Sequence, residues 1–249
     1  MAQSGPAPTP RNTPRLEVCV DTPKGLQTAI EAGADRIELC SALATGGLTP
    51  SQGFMVLAAR TSPIPVHALI RPRSGDFVFS EEEIALMQKD IKAAREAGLG
   101  GVVIGTSRAD GRLDLSSLKA LMQAAGPLDI TLHRAFDMVP DFTEALEQTS
   151  ALGIRRILTS GGAPTALAGI GVLQRLIEQA GDRLSIMPGG GITADIVAPF
   201  LDLGIREIHA SCSSPQVHAG KVADLGFALP SDRQTDAKKV KALKAALAR

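Results

Sequence analysis

One pattern recurs along this chain and restricts its folds more than any other feature. A short β-branched run leads into a turn bearing Gly or Pro, then into an amphipathic stretch that stops near a glycine. The runs are Leu16–Val20, Arg36–Cys40, Val66–Ile70, Gly101–Gly105, Ile130–Arg134, Arg156–Thr159, Leu184–Met187 and Glu207–Ala210. Helical periodicity falls near residues 23–33, 53–60, 81–97, 115–125, 141–152, 165–180, 193–202 and 236–248. Gly33, Gly98, Gly153 and Gly204 stand where a left-handed C-cap would end a helix and start the next strand. This alternation predicts a single-domain α/β fold, a (β/α)8 TIM barrel over residues 15–249. A doubly wound open sheet would want G-x-G-x-x-G after its first strand, and CVDTPKG is not that.

Composition narrows the function. The 26 Lys+Arg balance 26 Asp+Glu, and there is no Trp or Tyr. Nucleic-acid binders need a basic surplus and stacking aromatics, so nucleic acid is not the expected partner. No apolar run is long enough to span a membrane. Residues 1–14 are rich in Pro, Ser and Thr and read as a disordered leader without the apolar core of a secretory signal. Three cysteines are too few for a disulfide scaffold and fit a reducing compartment.

Strand side chains alternate, so one parity of each barrel strand meets the helices and the other meets the axis. The apolar parity is Leu16, Val18 and Val20 in the first strand, and likewise in the others. The remaining parity points Glu17, Cys19, Glu38, Cys40, His67, Arg71, His133, Met187 and His209 inward. Barrel interiors ordinarily hold Val, Ile and Leu, and unpaired buried ions cost several kcal/mol each. Two readings follow. The charges form a structural network, with Glu17 or Glu38 on Arg71, or they form a site at the strand ends.

Cys19 and Cys40 fall at equivalent places on adjacent strands, about 4.8 Å apart, and two near thiols suit Cu(I) or zinc. Two buried apolar cysteines would look the same in sequence. Gly189, Gly190 and Gly191 lead toward a helix near Thr193, where amide groups could cup an anion. Arg71 and Arg73 offer forked donors to a carboxylate or phosphate. An enzyme on a small anionic substrate, for instance a phosphorylated one, would take Glu17 or Glu38 as base and His133 as acid, with Arg71 beside them and Gly189–Gly191 holding the anion. Ser80 and Glu83 form a capping box and are assigned structurally.

The segments LEVCVD, ADRIELCS with GGLTPS, IPVHALIRPRSGDFVFS, ITLHRAFDM, RILTSGG, IMPGGGI and REIHAS occur in this order from Leu16 to Ser211. Together they resemble the CutC copper-homeostasis family. The resemblance implies a cytoplasmic (β/α)8 barrel that binds copper, as Cu(I), through two cysteines corresponding to Cys19 and Cys40. It also implies a homo-oligomer, dimer or tetramer. The chain departs from the family pattern at Ser74, where Gly is usual, and at Phe79, where Tyr is common. An inner surface this rich in acid, base and arginine keeps the enzyme reading open beside the copper one.

Overall fold

The structure, a computed structural model, describes residues 13–248. The expected leader over residues 1–14 lies almost wholly outside the described residues, as does Arg249. Eight parallel strands carry the fold: β1 (Arg15–Val20), β2 (Arg36–Leu39), β3 (Val66–Leu69), β4 (Gly101–Ile104), β5 (Asp129–Leu132), β6 (Arg156–Thr159), β7 (Ser185–Pro188) and β8 (Glu207–Ala210). They are laced in the order β7-β6-β5-β4-β3-β2-β1-β8. The chain is a (β/α)8 barrel, closed save for one joint. β7 and β8 are neighbours but share no hydrogen-bond ladder.

The outer ring consists of α1 (Pro23–Glu31), α2 (Gln52–Thr61), α3 (Glu81–Glu96), α4 (Leu115–Ala125), α5 (Phe142–Ala151), α6 (Ile170–Ala180) and α7 (Ala198–Asp202). A short α8 (Lys221–Asp224) precedes the last barrel helix, α9 (Ala237–Leu247). Local chemistry starts and stops these helices. Thr22 caps α1 with Pro23 in its first turn, and Ser80 with Glu83 closes the capping box on α3. Gly33, Gly98, Gly153 and Gly204 all take positive φ, so the helix stops read from the sequence are real.

The apolar parity is buried against the helices: Leu16, Val18, Val20, Ile37, Leu39, Ile70 and Leu132 are fully enclosed. Val240, Leu243 and Leu247 of α9 join the same core. At about 25 cal/mol per Å² of apolar surface, this layer is the main driving force for folding.

Three local readings are corrected. The sixth helix begins at Ile170, not near residue 165, because the bare Cα of Gly169 packs on the Ser160 carbonyl, where a Cβ would sit 1.9 Å from that oxygen. The seventh helix is only Ala198–Asp202, so the stretch after Gly191 is turn rather than helix. Between β8 and α9 an antiparallel ribbon, β9 (Ser213–Pro215) with β10 (Arg233–Thr235), carries a loop with α8. Its strands are short and polar and have no alternating pattern to reveal them.

Candidate functional site

The interior is charged in two layers. The lower layer sits at the strand starts. Arg36, the first residue of β2, ion-pairs with Glu17 and Glu207, both buried. Arg156, the first residue of β6, holds Glu207 at 2.7 Å, Asp129 at 3.0 Å and the Thr131 hydroxyl at 2.9 Å. The thioether of Met187 accepts from Arg36 at 3.2 Å. Burial alone would raise Glu17, yet Arg36 and His209 hold it well below the usual carboxylate range. Glu207 is likewise lowered, burial being outweighed by Arg36 and Arg156. His67 stands beside this layer, its Nε2 3.8 Å from Asp129, and burial pushes it down to about 4. The structural network expected between Glu17 or Glu38 and Arg71 is thus built with Arg36 and Arg156 instead. Those two arginines begin their strands, whereas Arg71 follows the end of β3 at the other end of the barrel.

The second layer opens on the barrel mouth. Strand register places Cys19 opposite Glu38, not opposite Cys40, because barrel closure staggers adjacent strands. Cys19 Sγ, a Glu38 carboxylate oxygen and a His209 ring nitrogen all lie within 4.8 Å of one another. Behind them, His209 Nδ1 is 2.8 Å from Glu17 Oε1. Burial would lower His209, but hydrogen bonding with Cys19 and Glu17 and the charge of Glu38 carry it well above the ordinary histidine value. Burial raises Glu38, and the neighbouring His209 only partly offsets this. Cys40 sits one step behind, its thiol 3.6 Å from Glu38 Oε2, packed with Cys19, Leu69 and Val103. Burial and the Glu38 charge push the Cys40 thiol well up.

Cys19, Glu38 and His209 line one wall of a cavity of about 700 Å³ that also exposes Arg71, Phe77 and His133. His133 ends β5 by capping a 3₁₀ turn, its Nδ1 accepting from the Ala135 amide at 3.1 Å. Burial, with Arg71 nearby, pushes His133 down to about 3, so the ring is neutral. The bare Cα of Gly105 makes room for that ring, since a Cβ there would lie 2.4 Å from it.

The CutC family model matches residues 14–214. The chain belongs to the CutC family. A family protein CutC of Rhizobium meliloti is 54% identical over 234 residues, covering 93% of this chain and 95% of the relative. A family protein CutC of Caulobacter vibrioides is 50% identical over 238 residues, covering 92% and 97%. Among solved structures, the putative copper homeostasis protein CutC from Streptococcus agalactiae superposes with a TM-score of 0.75 at 32% identity, covering 79% of this chain and 98% of that one.

In this CutC-family barrel, sequence reasoning and structure part at several residues. Glu38, Cys19, Arg71 and His133 meet at one cavity, whereas Glu17 stands behind His209 and does not line it. Cys40 lies outside the three-ligand group. Arg73 turns away onto Asp76 and Glu83 and stacks on Phe79. Gly189, Gly190 and Gly191 lead into no helix N-terminus. Gly189 instead lets Leu158 and His209 close over it, and the Gly190 carbonyl accepts from the Ala166 amide. Arg134 pairs with Asp137, which also accepts from the Ser160 and Gly162 amides and so staples the loop after β6. The sequence points His209 inward with three other candidate donors, His67, His133 and Met187, and does not choose among them; in the structure it is His209 that joins Cys19 and Glu38. Arg36, Arg156, Asp129 and Glu207 were missed as a network. Arg36 is two residues before Glu38 and hence on the same face, which was the signal available.

Proposed function

We propose that this CutC-family chain is a cytoplasmic copper-homeostasis protein whose barrel mouth binds copper, as Cu(I), as its cargo. The observation that carries this reading is the convergence of Cys19, Glu38 and His209. A thiolate and an imidazole are the donors that Cu(I) accepts readily, and the carboxylate is the hardest member of the set. Glu17 orients His209 from behind, as outer carboxylates do for metal-binding histidines. Cys40 would be a second thiol close to the first, held on the far side of Glu38. The same three donors suit zinc, so the competing metal belongs in the test.

Reduced protein titrated with Cu(I) against a chelating competitor is expected to bind one ion. Cys19→Ser should weaken binding by about tenfold or more, in the range seen when metal sites lose a supporting group, and Cys40→Ser should weaken it less. Equal affinity in Cys19→Ser, or preference for zinc over Cu(I), would overturn the reading. The homo-oligomer implied by the family likeness has a candidate surface in the loop between β9 and β10, where Val217 is 90% and Phe227 80% exposed. Light scattering should give a molar mass of two or four times the 25.9 kDa of one chain, and a monomer would overturn it.

A second reading, an enzyme on a small anion, is favoured by one specific observation. Arg71 and His133 line the same cavity, and each has a buried N–H without a partner; Glu38, raised by burial, would serve as the proton donor and acceptor beside them.

A further inference from the structure

The lining of the cavity shared with Cys19, Glu38 and His209 is incomplete in a specific way. Arg71 is 7% exposed, and no carboxylate among the described residues lies within salt-bridge distance of it. Its Nη1 donates to the Gly47 carbonyl at 3.0 Å and the Thr45 carbonyl at 3.3 Å, and its Nη2 to the Gly75 carbonyl at 2.8 Å. These carbonyls fix the guanidinium without neutralising it. The remaining donor, Nε, is buried and has no partner.

His133 is 4% exposed and stands in the same condition. Its Nδ1 accepts the Ala135 amide, so the proton of the neutral ring is on Nε2, and Nε2 is buried without a partner. Phe77 links the two groups, with its ring centroid 4.8 Å from the His133 ring and 5.1 Å from Arg71 Cζ. Among the described residues the other deeply buried arginines, Arg36 and Arg156, are paired with carboxylates. A buried cation and two buried N–H donors without acceptors are costly unless something supplies negative charge and acceptor oxygens.

We propose that Arg71 Nε and His133 Nε2 form a binding site for the carboxylate group of a small organic acid. The fit is by charge and by count. The site offers one positive charge and two donors, and a carboxylate brings one negative charge and two oxygens. A phosphate dianion would want a second free cation beside these donors, and the others near or lining the cavity are engaged elsewhere: Arg73 on Asp76 and Glu83, Arg134 on Asp137, His209 on Glu17 and Arg233 on Ser213. The cavity has the size of an ordinary small-molecule pocket. Bound there, the acid would share the cavity with Glu38, His209 and Cys19.

The site involves none of the three metal donors, so it is tested on metal-free, reduced protein with chelator present, whatever the outcome for copper. Imidazole nitrogen resonances of ¹⁵N-labelled protein are followed during titration with acetate and, at matched ionic strength, inorganic phosphate. The expected result is a saturable shift of His133 Nε2 with acetate, a weaker response to phosphate and none at His218. Arg71→Met should weaken acetate binding by about tenfold or more, the worth of a charge-assisted hydrogen bond. His133→Phe should do the same by the acetate-dependent rise in melting temperature, and His133→Gln, which keeps an N–H donor, should restore part of it. Two results would overturn the proposal: no saturable shift with acetate, or unchanged affinity in a folded Arg71→Met protein. Tighter binding of phosphate than acetate would overturn the choice of carboxylate.

Discussion

The two ends of the barrel handle buried charge in opposite ways. At the strand starts, Arg36 and Arg156 are interleaved with Glu17, Glu207 and Asp129, and each ion touches its opposite. At the mouth, Arg71 faces no carboxylate, His133 keeps a bare N–H, and Glu38 is raised toward its neutral form. Both layers are buried, so exposure does not distinguish them. Satisfaction does. A network that closes on itself contributes order and leaves nothing for a ligand, while a layer with missing partners is completed only from outside.

Substitutions should separate the layers by what they cost. The largest effect is expected from Arg36→Met, which strands two buried carboxylates. It should destabilise the fold by about 3–5 kcal/mol in urea unfolding, and a loss under 1 kcal/mol would show that the lower layer is not a closed network. Next comes Gly105→Ala, whose added methyl meets the His133 ring. Displacing that ring should cost about 1–3 kcal/mol and abolish the acetate response together.

A pH comparison is finer. His133 is held down to about 3 in the fold, against an ordinary value near 6.5 in the unfolded chain. Between those values the unfolded chain binds a proton that the folded one refuses, so this residue lowers stability as pH falls below 6.5 and does nothing above it. His133→Gln removes that proton. The stability difference between wild type and variant should therefore move in favour of the variant by about 1.4 kcal/mol per pH unit from pH 6 to 4. A pH-independent difference would mean that the ring is charged in the fold. The smallest effect is expected at Arg71. Its replacement by Met loses hydrogen bonds to loop carbonyls but relieves an uncompensated buried charge, leaving a net change of about 1 kcal/mol. A cost equal to that of Arg36→Met would erase the contrast between the layers.

Much of this architecture was legible in the sequence, because it depends on local rules. The eight strands come from β-branched runs, and the helix stops from glycines that must adopt positive φ. Parity alone pointed Glu17, Cys19, Glu38, His133 and His209 to the axis. The pairing of Cys19 with Glu38 was not legible, since register depends on how the whole ring staggers as it closes. Nor was the fate of Gly189–Gly191, where the five-residue α7 starts too late to aim its amides at them. Arg71 and Arg73 look alike in RPR. Only the fold shows that Asp76 and Glu83 occupy Arg73 and that carbonyls hold Arg71.

The unlaced joint between β7 and β8 gives the ring a mechanical asymmetry. Elsewhere, widening the barrel means stretching backbone hydrogen bonds between strands. At this joint it means only sliding side chains, with Gly189 keeping the fit between the strands tight. His209 rides on β8, which among the described residues is laddered to β1 alone. The wall bearing that imidazole is therefore the compliant one, able to follow the radius of whatever enters, while Arg71 and His133 stand on the stiff side as a fixed anvil.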